Sequence, residues 1–182
     1  MLNKLLLALS LSCFCFIDAH STEEKPMNEV VSENITGYWK TIDDQTGKPQ
    51  SLVVIYPYHD KYYGRILLTY DDNGKVADTI YQAKEKAPGI IGEPYYAGMD
   101  IIYDLVKKEG KYTDGKIVDP QKGSVYDAEL WLNKKKELVV RGELLFFGEN
   151  QIWIKANEND FPPNFKKPDL QNMTPTIPQV KK

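Results

Sequence analysis

Cysteine is nearly absent. The 182 residues contain two, Cys13 and Cys15, and both lie in the first fifteen positions. A chain that loses that segment holds no thiol, so packing alone holds its fold even in an oxidising compartment. Histidine is equally scarce, with only His20 and His59, which starves any zinc or serine-hydrolase constellation. Charge of one sign is missing too: 23 Lys and Arg stand against 26 Asp and Glu, interspersed, which gives no electrostatic footprint for nucleic acid or an anionic membrane surface. No Gly-rich phosphate loop, EF-hand loop or metal-ligand spacing occurs, and no metal or cofactor is expected.

The one long apolar run is at the start. Met1-Leu2-Asn3-Lys4 precedes an apolar stretch from Leu5 to Ile17, the length of a signal-peptide core and short for a bilayer span. Cleavage after Ser21 is preferred over cleavage after Ala19, because Ala19-His20-Ser21 supplies small residues at both required positions. A lipoprotein reading of Cys13 is weaker, since Ser10 stands where a Leu is usual. Export to the periplasm or the medium is therefore the expectation. A cut after Ala19 would leave His20 at the amino terminus, where its amine and imidazole could chelate copper with His59 as a third ligand.

After a polar lead-in over residues 22–33, short runs of Val, Ile, Leu, Tyr and Trp recur between turn residues, the pattern of consecutive strands. Eight are expected: 35–42, 51–58, 62–70, 100–106, about 116–118, 125–132, 138–145 and 151–156. Alternation supports them. Tyr126, Ala128, Leu130 and Leu132 oppose Asp127 and Glu129, while Leu138, Val140, Gly142 and Leu144 oppose Arg141 and Glu143, as half-buried strands require. Closure removes the exposed edges, so an antiparallel up-and-down barrel is favoured over a sandwich. Residues 75–98 form an unusually long connection, read as a cap on one barrel end or a lid. Residues 158–182 hold five of the eleven prolines and read as an extended tail.

Gly37-Tyr38-Trp39 at the start of the first strand resembles the lipocalin signature, in which the Trp closes one end of the barrel. A more specific resemblance follows. Gly115-Lys116-Ile117-Val118-Asp119-Pro120-Gln121-Lys122-Gly123-Ser124-Val125-Tyr126 is similar to the hallmark of the bacterial family called domain of unknown function 2147. Gly98-Met99-Asp100-Ile101-Ile102, Ala128-Glu129-Leu130-Trp131-Leu132, Leu138-Val139-Val140-Arg141-Gly142 and Gln151-Ile152-Trp153 fit its order. The resemblance implies an exported bacterial protein with a lipocalin-like barrel and no assigned activity. One departure is that Tyr96-Ala97 stand where many relatives carry a Cys, so no thiol role transfers.

Asp119-Pro120 opens a turn and Gly123 supplies its positive φ, so with Gly37, Gly142 and Trp153 these are read as structural. Trp39, Tyr126 and Arg141 are the candidate contacts for a small, largely apolar ligand. No catalytic residue is expected. His59 sits in a polar turn, and Ser51 or Ser124 would have to reach it to form a nucleophile. Asp43-Asp44 and Asp71-Asp72 also read as turn residues. Nine tyrosines from Tyr56 to Tyr103 either pack the core or line a lumen. The expected function is binding or accessory rather than enzymatic. The rivals are a filled structural barrel, docking a partner through its tail or Lys134-Lys135-Lys136, and an enzyme lidded by 75–98.

Overall fold

The computed structural model describes residues 34–144 and 147–181. The expected leader and lead-in, with both cysteines and His20, lie outside the described residues. Nine strands follow in order: β1 Gly37–Ile42, β2 Pro49–Tyr58, β3 Lys61–Tyr70, β4 Val76–Thr79, β5 Asp100–Lys108, β6 Lys111–Asp119, β7 Ser124–Leu132, β8 Leu138–Leu144 and β9 Phe147–Lys155. One 3-10 turn, Glu158–Asp160, comes after them. No described helix is long and apolar enough to cross a membrane.

Every pairing is antiparallel. The order β2-β1-β9-β8-β7-β6-β5-β3 is closed by a further β2–β3 ladder, giving an eight-stranded barrel with β4 outside it on β3. All eight expected strands are present. β4 was not expected, because four residues with two side chains of each polarity carry too little periodicity to stand out from a connection.

Inward residues settle the direction of the barrel. The β2–β3, β5–β6 and β7–β8 turns lie at one end, the floor. Here Ile35, Trp39, Leu105, Tyr112, Leu130, Leu138 and Trp153 pack as one buried cluster. Tyr62 and Tyr112 meet edge to face with centroids 4.7 Å apart, a geometry that adds to area burial. The β1–β2, β6–β7 and β8–β9 turns and the 71–99 connection lie at the other end, the mouth.

That connection is anchored beside the mouth. Ala87, Ile90 and Met99 are buried in the inner cluster, and the Gly89 N–H donates to the Pro120 carbonyl at 3.0 Å. The hallmark glycine explains the fit. Gly123 has φ +70°, and a Cβ added to it would lie 2.6 Å from the Gly89 carbonyl oxygen. Asp119 organises the same turn, its Oδ1 accepting from the backbone N–H of Gln121 and Lys122 at 2.9 and 3.1 Å. The motif read from sequence as a turn is thus also a docking seat for the segment around Gly89, far upstream in the chain.

The outer face of β1, β2 and β3 is covered by the tail. Phe161, Phe165, Leu170 and Met173 pack on Leu52, Val54, Tyr56, Tyr63, Leu67 and Leu68, forming a second apolar cluster. The Tyr38, Tyr70 and Tyr81 hydroxyls donate to tail carbonyls of Pro168, Asp160 and Lys166 at 3.2, 3.0 and 2.7 Å. Burial and Asp104 push the Tyr63 phenol up to about 12, and burial and Asp160 do the same to Tyr70. Five of the early tyrosines, Tyr56, Tyr58, Tyr63, Tyr70 and Tyr103, therefore serve this outer layer rather than a lumen.

Beneath the tail lies a buried ionic knot. Asp100 is fully buried on the outward side of β5, and its oxygens accept from Arg65 Nη2 at 2.7 Å, Arg65 Nε at 3.2 Å, the Tyr56 hydroxyl at 2.9 Å and the Thr176 N–H. Arg65 also donates to the Thr174 carbonyl at 2.6 Å. Burial and Asp100 drive the Tyr56 phenol far above its ordinary pKa, so it stays a neutral donor. Beyond the knot the tail runs beside the 85–98 segment, with the Ile91 N–H on the Gln179 carbonyl and the Lys181 N–H on the Gly89 carbonyl.

Candidate functional site

Inward positions turn from apolar to polar along the barrel axis in the same direction on four strands, β9, β7, β1 and β2, while those of β8 stay apolar and shrink to a glycine. Residues i, i+2 and i+4 of a strand share a face. Read from floor to mouth, β9 presents Trp153, Gln151 and Glu149, β7 presents Leu130, Ala128 and Tyr126, and β8 presents Leu138, Val140 and Gly142. β1 presents Trp39 then Thr41, and β2 presents Val53 then Ser51. An apolar floor therefore rises into a polar collar.

The collar surrounds the open mouth of a cavity of about 600 Å³, within the range of small-molecule sites. Ile101, Ile117, Val118, Val140 and Trp153 form its apolar wall, while Thr41, Gln50, Ser51, Tyr126 and Gln151 supply hydroxyls and amides. Asp119, Lys122 and Glu149 stand at its rim. Several polar groups are already engaged. Thr41 Oγ1 and Ser51 Oγ share a 2.9 Å hydrogen bond, Gln151 accepts from the Trp153 indole at 3.3 Å, and Gln50 donates to Asp43 at 2.9 Å. The Tyr126 hydroxyl and the Glu149 carboxylate have no hydrogen-bond partner among the described residues.

Gly142 keeps the cavity open. A Cβ there would sit 3.4 Å from Ile117 Cγ2 and 3.7 Å from Tyr126 Cβ, ordinary contact, so a longer side chain would project into the space. A second hollow, about 680 Å³ beside the β5–β6 turn, is walled by Lys108, Glu109, Lys111 and Thr113. No aliphatic or aromatic residue lines it, and its lysines already bond Asp114 and Glu129.

The structure separates the three candidate ligand contacts. Tyr126 lines the cavity. Trp39 is 1% exposed at the floor, its indole N–H donating to the Ile35 carbonyl at 2.7 Å. Lys155 Nζ lies 4.5 Å from its ring centroid, where desolvation pulls the ammonium pKa below the usual lysine value. Gly37 makes room for that lysine, since a Cβ there would meet Nζ at 2.7 Å. Arg141 points out of the barrel, bonded to Glu143 and lying against Gly148. Sequence reasoning missed Gln151 and Glu149, although stepping back by twos from the inward Trp153 finds both.

The structure brings neither Ser51 nor Ser124 to His59. His59 occupies the β2–β3 turn at the floor, whereas Ser51 lies eight residues back along β2, about 26 Å at strand rise, and Ser124 lies at the mouth. Asp43 and Asp71 hold their own turns. Hydrogen bonds from Thr46 lower the Asp43 pKa, and the backbone N–H of Lys75 does the same for Asp71. No group of three or more His, Cys, Asp or Glu able to hold a metal ion occurs among the described residues.

A closed eight-stranded antiparallel barrel with one packed and one open end defines a lipocalin-like protein. In keeping with this, the chain is similar to a solved structure described as "Protein HP1028 from the human pathogen Helicobacter pylori belongs to the lipocalin family". The TM-score is 0.55 and the identity 18%, over 70% of this chain and 86% of that one. The model of the family described as "Uncharacterized protein conserved in bacteria (DUF2147)" matches residues 37–155, and the chain belongs to that family. No curated protein matches.

Proposed function

We propose that this protein is exported to the bacterial envelope and binds a small, largely apolar molecule in the mouth of its barrel, without chemistry. The observation that carries the reading is the cavity of about 600 Å³, apolar at depth and polar at the collar. A lumen of that size favours a binder over a structural barrel filled by its own side chains. Export rests on the sequence of residues 1–21, and its apolar core is short for a membrane anchor.

One experiment addresses both parts. Native mass spectrometry of the protein from its own host is expected to give the mass of a chain beginning at Thr22, plus a retained small molecule. A full-length mass would contradict export. Repeated recovery of bare protein that also takes up no added apolar compound would contradict the binding role.

A further inference from the structure

We infer that the preferred occupant is an amphiphile with a basic head, an alkyl or aryl amine, held with its apolar body down and its ammonium at the rim. This rests on the binding reading above and deepens it. Orientation follows from the gradient. From Trp153 to Glu149 the inward face of β9 covers four residues, about 13 Å, and passes from an indole through an amide to a carboxylate. Tyr126 on β7, Thr41 on β1 and Ser51 on β2 stand at the collar on the strands to either side of β9. A molecule entering head first would bury its polar group against Val140, Val118 and Trp153, at a desolvation cost with no partner to offset it.

The charge of the head follows from what is spent and what is free at the rim. Lys122 is the single cation among the lining residues, and its side chain is 72% exposed, 3.7 Å from Asp119 Oδ2. Asp119 Oδ1 is committed to two backbone N–H groups of its turn. Glu149 has no ion-pair partner among the described residues, and Asp43 backs the rim through Gln50. An anionic head would meet two lining carboxylates and one lysine already facing one of them. An ammonium would meet Glu149 unopposed and could donate to the Tyr126 oxygen.

The test uses the full mature chain and a neutral apolar fluorophore that brightens in the lumen, displaced in turn by octylamine, octanol and octanoate near neutral pH. Octylamine is expected to displace at about one tenth the concentration octanoate needs, with octanol between them. Glu149→Gln, an exposed substitution that leaves folding intact, should bring amine and acid to within about threefold. Octanoate binding as tightly as octylamine, or an unchanged preference in Glu149→Gln, would overturn the basic-head inference while leaving the cavity reading standing. If the fluorophore does not bind, or none of the three displaces it, the cavity reading falls and this inference with it.

Discussion

Asp100→Ala is expected to cost about 3–5 kcal/mol of stability, the range for removing one partner of a buried charge pair. The carboxylate is fully buried and accepts from Arg65, Tyr56 and the Thr176 backbone together. Its loss leaves the Arg65 guanidinium without a counter-charge and takes the acceptor from the Tyr56 hydroxyl and the Thr176 N–H beneath the tail. Two controls separate this from loss of charge in general. Asp127→Ala breaks the exposed pair with Lys116 and should cost no more than about 1 kcal/mol. The double variant Arg65→Met with Asp100→Leu should be more stable than Asp100→Ala, because no uncompensated charge remains. Urea denaturation measures all three. A loss under about 1 kcal/mol for Asp100→Ala would mean that the knot does not anchor the tail.

Gly89→Ala is expected to cost about 2–3 kcal/mol, at the upper end for overpacking. The added Cβ would lie 2.2 Å from the Gly123 nitrogen and 2.7 Å from its Cα. Both are backbone atoms of a turn that Asp119 holds, so neither can rotate away. The same residue bonds Pro120 on one side and receives the Lys181 N–H on the other, and displacement loosens the connection, the hallmark turn and the tail end together. Gly92→Ala is the control. That glycine has φ +80° and nothing within 4 Å of its would-be Cβ, so only the backbone penalty of about 1 kcal/mol applies. Combining Gly89→Ala with Gly123→Ala should cost less than the sum, since both report one contact. Thermal unfolding that ranks Gly92→Ala as the worse variant would refute the docking account.

The barrel strands were legible because half-buried strands write their burial into alternate positions. Tyr126, Ala128 and Leu130 against Asp127 and Glu129 define both the element and its inner face. The same rule places Arg141 outside, next to inward Val140 and Gly142. What stayed hidden was non-local. Arg65, Asp100 and Tyr56 each look like an ordinary strand residue, and only the β2–β3–β5 register with the returning tail brings them together. The tail's apolar residues, Phe161, Phe165, Leu170 and Met173, are scattered among prolines without a period, so composition showed an extended segment but not the face it covers. The tyrosines are a third case. Tyr frequency alone cannot tell a lumen from an outer layer, and most of them belong to the layer under the tail. Toward the mouth, Glu149 and Gln151 lie on a strand whose one strong marker, Trp153, sits at the floor end. Polar inward residues break the alternation that would have announced them.

The measurement that bears most directly on the central claim is an equilibrium titration of the neutral apolar fluorophore against the wild-type chain and against Gly142→Leu. The Cβ of that leucine fits beside Ile117 and Tyr126, and its remaining carbons occupy the mouth. The account predicts saturable binding of one fluorophore per wild-type chain and loss of that binding in Gly142→Leu, with strand content unchanged by circular dichroism. Equal binding to both chains would place the fluorophore elsewhere on the molecule and contradict a ligand site inside the barrel.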